Sequence, residues 1–214
     1  MRNTILAVLI AVGVAGCASV RTDVNKFGAL PGSGKTFIMV PFNEQKGSAE
    51  FATYAASLSR RFQQKGFVEE QVLAKADYAI FFSYGVAGSE TVSGAAPIYG
   101  QTGGGTNYQS GAYSGSSGYG TYSGTNTATP TYGMVGMVPI SRTYHSRFLR
   151  INMIDIKKST PETAISVWEA QASSEGTLKT FAPVAECIFD SVFKDFGAVG
   201  SKRVDLTMSG CGKP

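Results

Sequence analysis

The sequence predicts an α+β domain. In it, a mostly antiparallel sheet carries two helices as a second layer on one face, and a long Gly/Tyr-rich insertion interrupts the sheet. Three observations lead there. Residues 48–65 and 181–197 repeat Phe and aliphatic side chains at helical spacing, so each offers an apolar stripe that has to be buried. Several shorter segments alternate apolar with polar residues or run continuously β-rich, which marks strands. Finally, no charged residue occurs from Thr91 to Ser141, a stretch rich in Gly, Ser and Thr, with Asn, Gln and six Tyr.

The elements follow in order. Val20, Thr22 and Val24 alternate with Arg21, Asp23 and Asn25, the period of a half-buried strand, although a tether has the same pattern. Residues 29–36, Ala-Leu-Pro-Gly-Ser-Gly-Lys-Thr, satisfy a loose phosphate-loop pattern. That loop needs a helix behind it to face the phosphates, whereas Phe37-Ile-Met-Val-Pro-Phe42 is a β-rich run, so a turn is expected and no nucleotide. Ser48 is placed to cap the first helix, which presents Phe51, Ala55, Leu58 and Phe62 and stops at Gly66. Phe67-Val68 begins an extended stretch, and residues 76–84 are apolar enough for a central strand.

Residues 91–141 bury too little apolar surface to offset chain entropy and are expected to be mobile or loosely hairpinned. They read either as an insertion tolerated between strands or as a Tyr-bearing contact segment. Order returns at 144–156, where Leu149, Ile151 and Met153 share one face while Phe148 and Ile154 share the other. Apolar residues on both faces predict an internal strand. Residues 157–162 form a turn, and 164–173, with the lone Trp168, its partner strand. The second helix starts at Phe181-Ala-Pro183, presents Ala185, Ile188, Phe189, Val192, Phe193 and Phe196, and ends at Gly197; residues 202–208 alternate as a last strand.

The N-terminus supplies an address. One cation, Arg2, precedes the apolar run Ile5 to Val14 and then Ala15-Gly16-Cys17, the layout of an export leader. Its ten residues fall short of the roughly 20 that a spanning helix needs. Cys17 directly after Val-Ala-Gly resembles the bacterial lipobox. That resemblance implies a leader at 1–16, acyl chains on Cys17, and a membrane held through the lipidated N-terminus. Ala18, where an Asp would favour retention in the inner membrane, implies sorting to the outer membrane. Two or more chains anchor stably, each buried methylene contributing about 0.8 kcal/mol. The domain then divides into 17–90, the flexible insertion 91–141, and 142–214. Loss of Arg2 lowers the full chain's net charge of +4 to +3, too mild and scattered for nucleic acid. Of the three Cys, Cys187 and Cys211 remain as an even pair that reads as a disulfide in an oxidising compartment. Burial as inert core thiols is the ordinary alternative, which the off-stripe position of Cys187 and the glycines flanking Cys211 disfavour.

Chemistry is sparse. The one His, His145, has no Gly-x-Ser-x-Gly elbow to pair with, and a His metal cluster is unavailable, so no metal and no cofactor are expected. Ser191-Val-Phe-Lys194 matches the Ser-x-x-Lys of penicillin-binding enzymes. It lies near a helix end, however, without the companion motifs. Asp155, Glu162, Glu169 and Glu175 border strands and turns, with nothing in the spacing to place two about one substrate.

Several segments resemble one family of envelope lipoproteins, the domain-of-unknown-function group 4136. They are Thr36-Phe37, the helix end Phe62 to Phe67, Ala76-Asp-Tyr-Ala-Ile80 with Ser83-Tyr84, the Gly/Tyr stretch, Leu149 to Asp155, and Ser166-Val-Trp-Glu-Ala170. The resemblance implies an α+β lipoprotein domain and no catalytic residue. The resulting expectation is a non-enzymatic outer-membrane lipoprotein facing the periplasm, a scaffold or module for an envelope protein partner. The alternatives are a hydrolase or binding protein for envelope polymers, or an adhesion or matrix component acting through the Gly/Tyr segment.

Overall fold

The structure, a computed structural model, describes residues 19–160 and 162–212. Cys17 and the expected leader 1–16 lie outside the described residues, as does Pro161 in the expected turn. The elements are β1 (Ser19–Gly28), β2 (Thr36–Met39), α1 (Ala49–Gln64), β3 (Val68–Glu69), β4 (Tyr78–Gly115), β5 (Gly118–Asp155), β6 (Ser166–Gly176), α2 (Ala185–Phe193) and β7 (Gly200–Thr207). The chain forms two compact units, one comprising residues up to Glu90 and from Tyr144 onward, the other Thr91–Thr143.

In the first unit the strands follow the order β3-β2-β4-β5-β6-β1-β7, and the class is α+β with a mixed sheet. Antiparallel pairing runs from β5 through β6 and β1 to β7, with Leu149 opposite Ala172, Ala172 opposite Val24, and Thr22 opposite Val204. The other end of the sheet departs from the expected antiparallel character. There β2 is parallel to both β3 and β4, with Phe37 opposite Tyr78 and Thr36 opposite Val68. The chain leaves β2 through α1 and returns on the same sheet, and such a crossover makes strands parallel. The N-terminal stretch that a tether would also have explained is β1, held between β6 and β7. As expected, the strand ending at Asp155 is internal.

Ser48 caps α1, its Oγ accepting the Phe51 N–H at 3.2 Å, and Gly66 adopts φ +89 just past the helix, where a side chain would be strained. The inward face of α1 buries Phe51, Tyr54, Leu58 and Phe62. Phe62 is fully buried among Phe37, Trp168 and Phe193, with ring centroids 5.4, 6.2 and 4.9 Å away, and Phe51 stacks on Phe82 at 4.7 Å. On β1, β5 and β6 alternate residues enter this core: Val20 and Val24, Leu149, Ile151 and Met153, Trp168, Ala170 and Ala172.

The second helix is shorter than its periodicity. A 3-10 turn at Ala182–Val184 precedes it, and it ends at Phe193 rather than Gly197, because Lys194 is already extended (ψ 130) and Asp195 then takes φ +52. Lys26, 5% exposed on the inward side of β1, donates to the carbonyls of Lys194 (2.8 Å) and Asp195 (3.1 Å) and so closes the helix end. Phe196 lies beyond the helix yet still packs on Phe193 at 5.0 Å. Seven of the nine α2 residues are buried, including Cys187 at 2% exposure, which corrects the expectation that it stands clear of the core.

The second unit is a hairpin built from the distal parts of β4 and β5 around Ser116-Ser117. Threonine hydroxyls meet across the strands, Thr91 with Thr143 at 2.9 Å and Thr106 with Thr127 at 3.2 Å. Nearer the tip, Tyr122 lies over Gly111 and Tyr113 over Gly120, so closely that a Cβ at either glycine would collide with the ring. Tyr therefore packs where Gly leaves room, which accounts for the pairing of these two residue types in the sequence.

Candidate functional site

Three places in the structure gather polar or reactive groups. The first is the outward face of β1 and β7, where the register sets Arg21 opposite Asp205 and Asp23 opposite Arg203. Both pairs are joined. Arg21 Nε donates to Asp205 at 2.9 Å, and Arg203 donates through Nε and Nη2 to the two oxygens of Asp23 at 2.7 and 3.2 Å. The Arg203 hydrogen bond holds the Asp23 carboxyl below its ordinary range. Arg21, Asp23 and Arg203 line a shallow hollow of about 520 Å³ with Tyr144, Ser173 and Glu175. Mutually satisfied, solvated pairs of this kind contribute little to stability and leave no spare charge for a ligand.

The second is a clamp between the helices. Arg61, 7% exposed, donates to Glu186 at 2.7 Å and to Asp190 at 2.6 Å, while Ser57 Oγ donates to Glu186 at 2.7 Å. Burial pushes the Glu186 carboxyl up, but hydrogen bonds from Arg61 and Ser57 outweigh it and leave the group below its ordinary value. The other oxygen of Asp190 accepts the Gly212 N–H at 2.8 Å, and Cys211 is bonded to Cys187 with their Cα atoms 4.9 Å apart. The clamp therefore fastens the C-terminal segment to α2 and is architecture.

The third centres on Arg147 of β5, 3% exposed on the inward side of the sheet. Its Nε makes one long bond, 3.4 Å, to the Ser174 carbonyl, and no described carboxylate lies within salt-bridge distance. Burial pushes its pKa down, with no charged neighbour offsetting it. A cavity of about 390 Å³ opens beside it.

The residues singled out in the sequence do not converge. His145 is half-buried on β5 opposite Gly176. Ser191 is fully buried and donates to the Cys187 carbonyl at 2.7 Å, so its hydroxyl serves the helix. Gly34 in the phosphate-loop look-alike donates its N–H to the Gly66 carbonyl at 2.8 Å, and a strand follows, with no helix N-terminus behind it. Asp155 accepts the N–H groups of Lys157 and Lys158, each at 3.1 Å, and thereby shapes the turn after β5. Glu169 and Glu175 stand six residues apart on β6, roughly 20 Å along an extended strand. Among the described residues no group of three or more His, Cys, Asp or Glu could hold a metal ion. Sequence reasoning passed over Lys26 and Arg147. Their signal was a cation in step with the apolar positions of a strand, Lys26 with Val20 and Val24, Arg147 with Leu149 and Ile151.

No curated protein matches the chain in sequence. Among solved structures it is similar to a PDZ domain protein from Parabacteroides distasonis ATCC 8503 (TM-score 0.41, 13% identity). That match covers 87% of this chain, which spans only 38% of the length of that protein. A PelC dodecamer from Paraburkholderia phytofirmans is similar at TM-score 0.39 and 10% identity, covering 83% of this chain and 98% of that one. A family model matches residues 20–196, which takes in every strand and helix of the first unit up to the end of α2, and the chain is accordingly a member of the domain of unknown function family DUF4136.

Proposed function

We propose that the protein is an outer-membrane lipoprotein, anchored through Cys17 and facing the periplasm, that acts as a non-enzymatic module binding an envelope protein. The leader and the Val14-Ala15-Gly16-Cys17 sequence support the location. No described helix is long and apolar enough to cross a membrane, which leaves spanning by strands open. In this reading α1 and α2 form one layer on the inward face of the sheet, and the Gly/Tyr segment is the working surface.

The observation that carries the binding role is the exposed edges of the hairpin. The described pairing of β2 with β4 ends at Ile80 and that of β6 with β5 begins at His145, so across Thr91–Thr143 the two arms pair, among the described residues, only with each other. Such edges present rows of unsatisfied N–H and C=O groups, and a two-stranded ribbon is marginal in water. The usual protection of an edge by charge is absent here, since 51 consecutive positions carry none. Tyr108, Tyr119 and Tyr132 are 86%, 83% and 75% exposed, amphipathic rings of the sort that anchor interfaces. Strand addition to one arm is the recognition mode this surface fits.

Photo-crosslinkers at Tyr108 and Tyr122 in intact cells test the reading. A discrete adduct is expected from these positions and none from an exposed α1 position such as Arg60. It should disappear when Lys is placed on both arms at Gln109 and Thr125. Equal adducts from hairpin and helix, or none from either, would reject it. The binding-protein alternative is favoured by one separate observation, the cavity at Arg147.

A further inference from the structure

We infer that the cavity beside Arg147 is a binding site for a small carboxylate with an apolar tail. A buried guanidinium without a partner is costly, because the charge has left water and nothing replaces its hydration. Arg147 offers five donors, of which the described residues engage Nε alone, over 3.4 Å. The surroundings are shaped for the group. A side chain at Gly176 would come within 2.6 Å of Arg147 Nη2, so the glycine leaves the space that the guanidinium fills.

Other unmet polar groups stand in the same row of the sheet. Arg147 is opposite Ser174 in the β5–β6 ladder, and Ser174 is opposite Thr22 in the β6–β1 ladder. Thr22 Oγ1 and Ser174 Oγ are buried without a hydrogen-bond partner among the described residues. Three adjacent strands thus place an arginine and two hydroxyls side by side, all on the inward face and none paired with a carboxylate.

The cavity wall sets the rest of the ligand. Apart from Arg147, it is formed largely by Val20, Leu178, Pro183, Val184 and Met208. Glu175 also borders it, but as an exposed residue whose carboxylate accepts a bond from Ser146 Oγ at 3.4 Å and also lines the hollow on the outward face. About 390 Å³ is at the small end of ligand sites, which are mostly apolar with a few placed polar groups. A carboxylate would take two parallel N–H donors from the planar guanidinium, and an aliphatic tail would lie against the Leu, Val and Met side chains.

Calorimetric titration of the intact protein with decanoate, decanol and acetate tests this. Decanoate is expected to bind and to raise the melting temperature, with decanol and acetate each at least tenfold weaker. Arg147→Met should erase the preference for decanoate over decanol, and Arg147→Lys should restore part of it. Should Arg147→Met fail to fold, Leu178→Glu supplies the second reading. Leu178 is 40% exposed, so the variant should fold, and a carboxylate at the mouth should weaken decanoate at least tenfold. No decanoate binding, acetate equal to decanoate, or decanoate binding unchanged in Arg147→Met or Leu178→Glu would overturn the inference. The hairpin plays no part in these measurements, so their outcome is independent of the crosslinking result.

Discussion

Asp77 shows how one side chain joins three segments. Its Oδ2 accepts the Thr36 N–H at 3.2 Å and the Thr36 hydroxyl at 3.1 Å, and its Oδ1 accepts Lys157 Nζ at 2.7 Å. These bonds tie the start of β2 to the start of β4 and to the turn after β5. The Lys157 hydrogen bond first, and the Thr36 N–H second, lower its pKa from 3.8 to about 2. A carboxyl depressed on folding stabilises the protein above its unfolded pKa, and that stability is lost as pH falls through the folded value. Asp77→Asn should therefore cost about 1 kcal/mol at pH 7 in urea unfolding, and the gap to the parent should close between about pH 4 and pH 2. A gap undiminished at pH 2 would place the effect elsewhere. The role of Asp77 was not legible in the sequence, because Thr36 and Lys157 are 41 and 80 residues away.

At the scale of elements, the informative pair is α2 and the segment after β7. A stripe at helical spacing was enough to find α2, but seven of its nine residues are buried, Cys187 and Ser191 among them, because other parts of the fold cover more of the helix than the stripe alone accounts for. The Cys187–Cys211 bond fastens that cover across a separation of 24 residues. In the chain-entropy model such a loop contributes about 3 kcal/mol. Cys211→Ser should lose stability of that order and raise proteolysis after Thr207, without changing the far-ultraviolet spectrum. Thiol titration of the unreduced protein should find neither sulfur free. Two titratable thiols would leave the Asp190–Gly212 bond as the fastening.

At the scale of the whole molecule, the two units predict two rates of hydrogen exchange. Amides of β1 and β6 are paired on both sides within the sheet, whereas the arms within Thr91–Thr143 have one partner each. In the purified protein the hairpin amides should exchange at least a hundredfold faster than those of Val24 or Ala170. Equal protection would mean that the arms are already paired with further strands. For the anchor, Cys17→Ala should abolish labelling by an alkyne palmitate analogue and release or stall the precursor. Unchanged labelling and membrane fractionation would count against lipidation at this position.

What the sequence determined by itself was local in origin. The Ser48 cap, the stop at Gly66, the Phe stripes and the alternation in β1, β5 and β6 each depend on residues within a few positions, and so could be placed from spacing alone. Tertiary structure decided whatever depends on distant residues. The parallel pairing of β2, the early end of α2 under Lys26, and the burial of seven of the nine α2 residues are set by contacts across the fold. The same holds for Arg147. Its period-two position with Leu149 and Ile151 could point it inward or outward, and only the packing of β5 between β4 and β6 buries it beside Ser174 and the cavity. The hairpin falls between these cases. Its composition limits it to weak, uncharged pairing, while the register that sets Tyr122 over Gly111 arises only when the two arms meet.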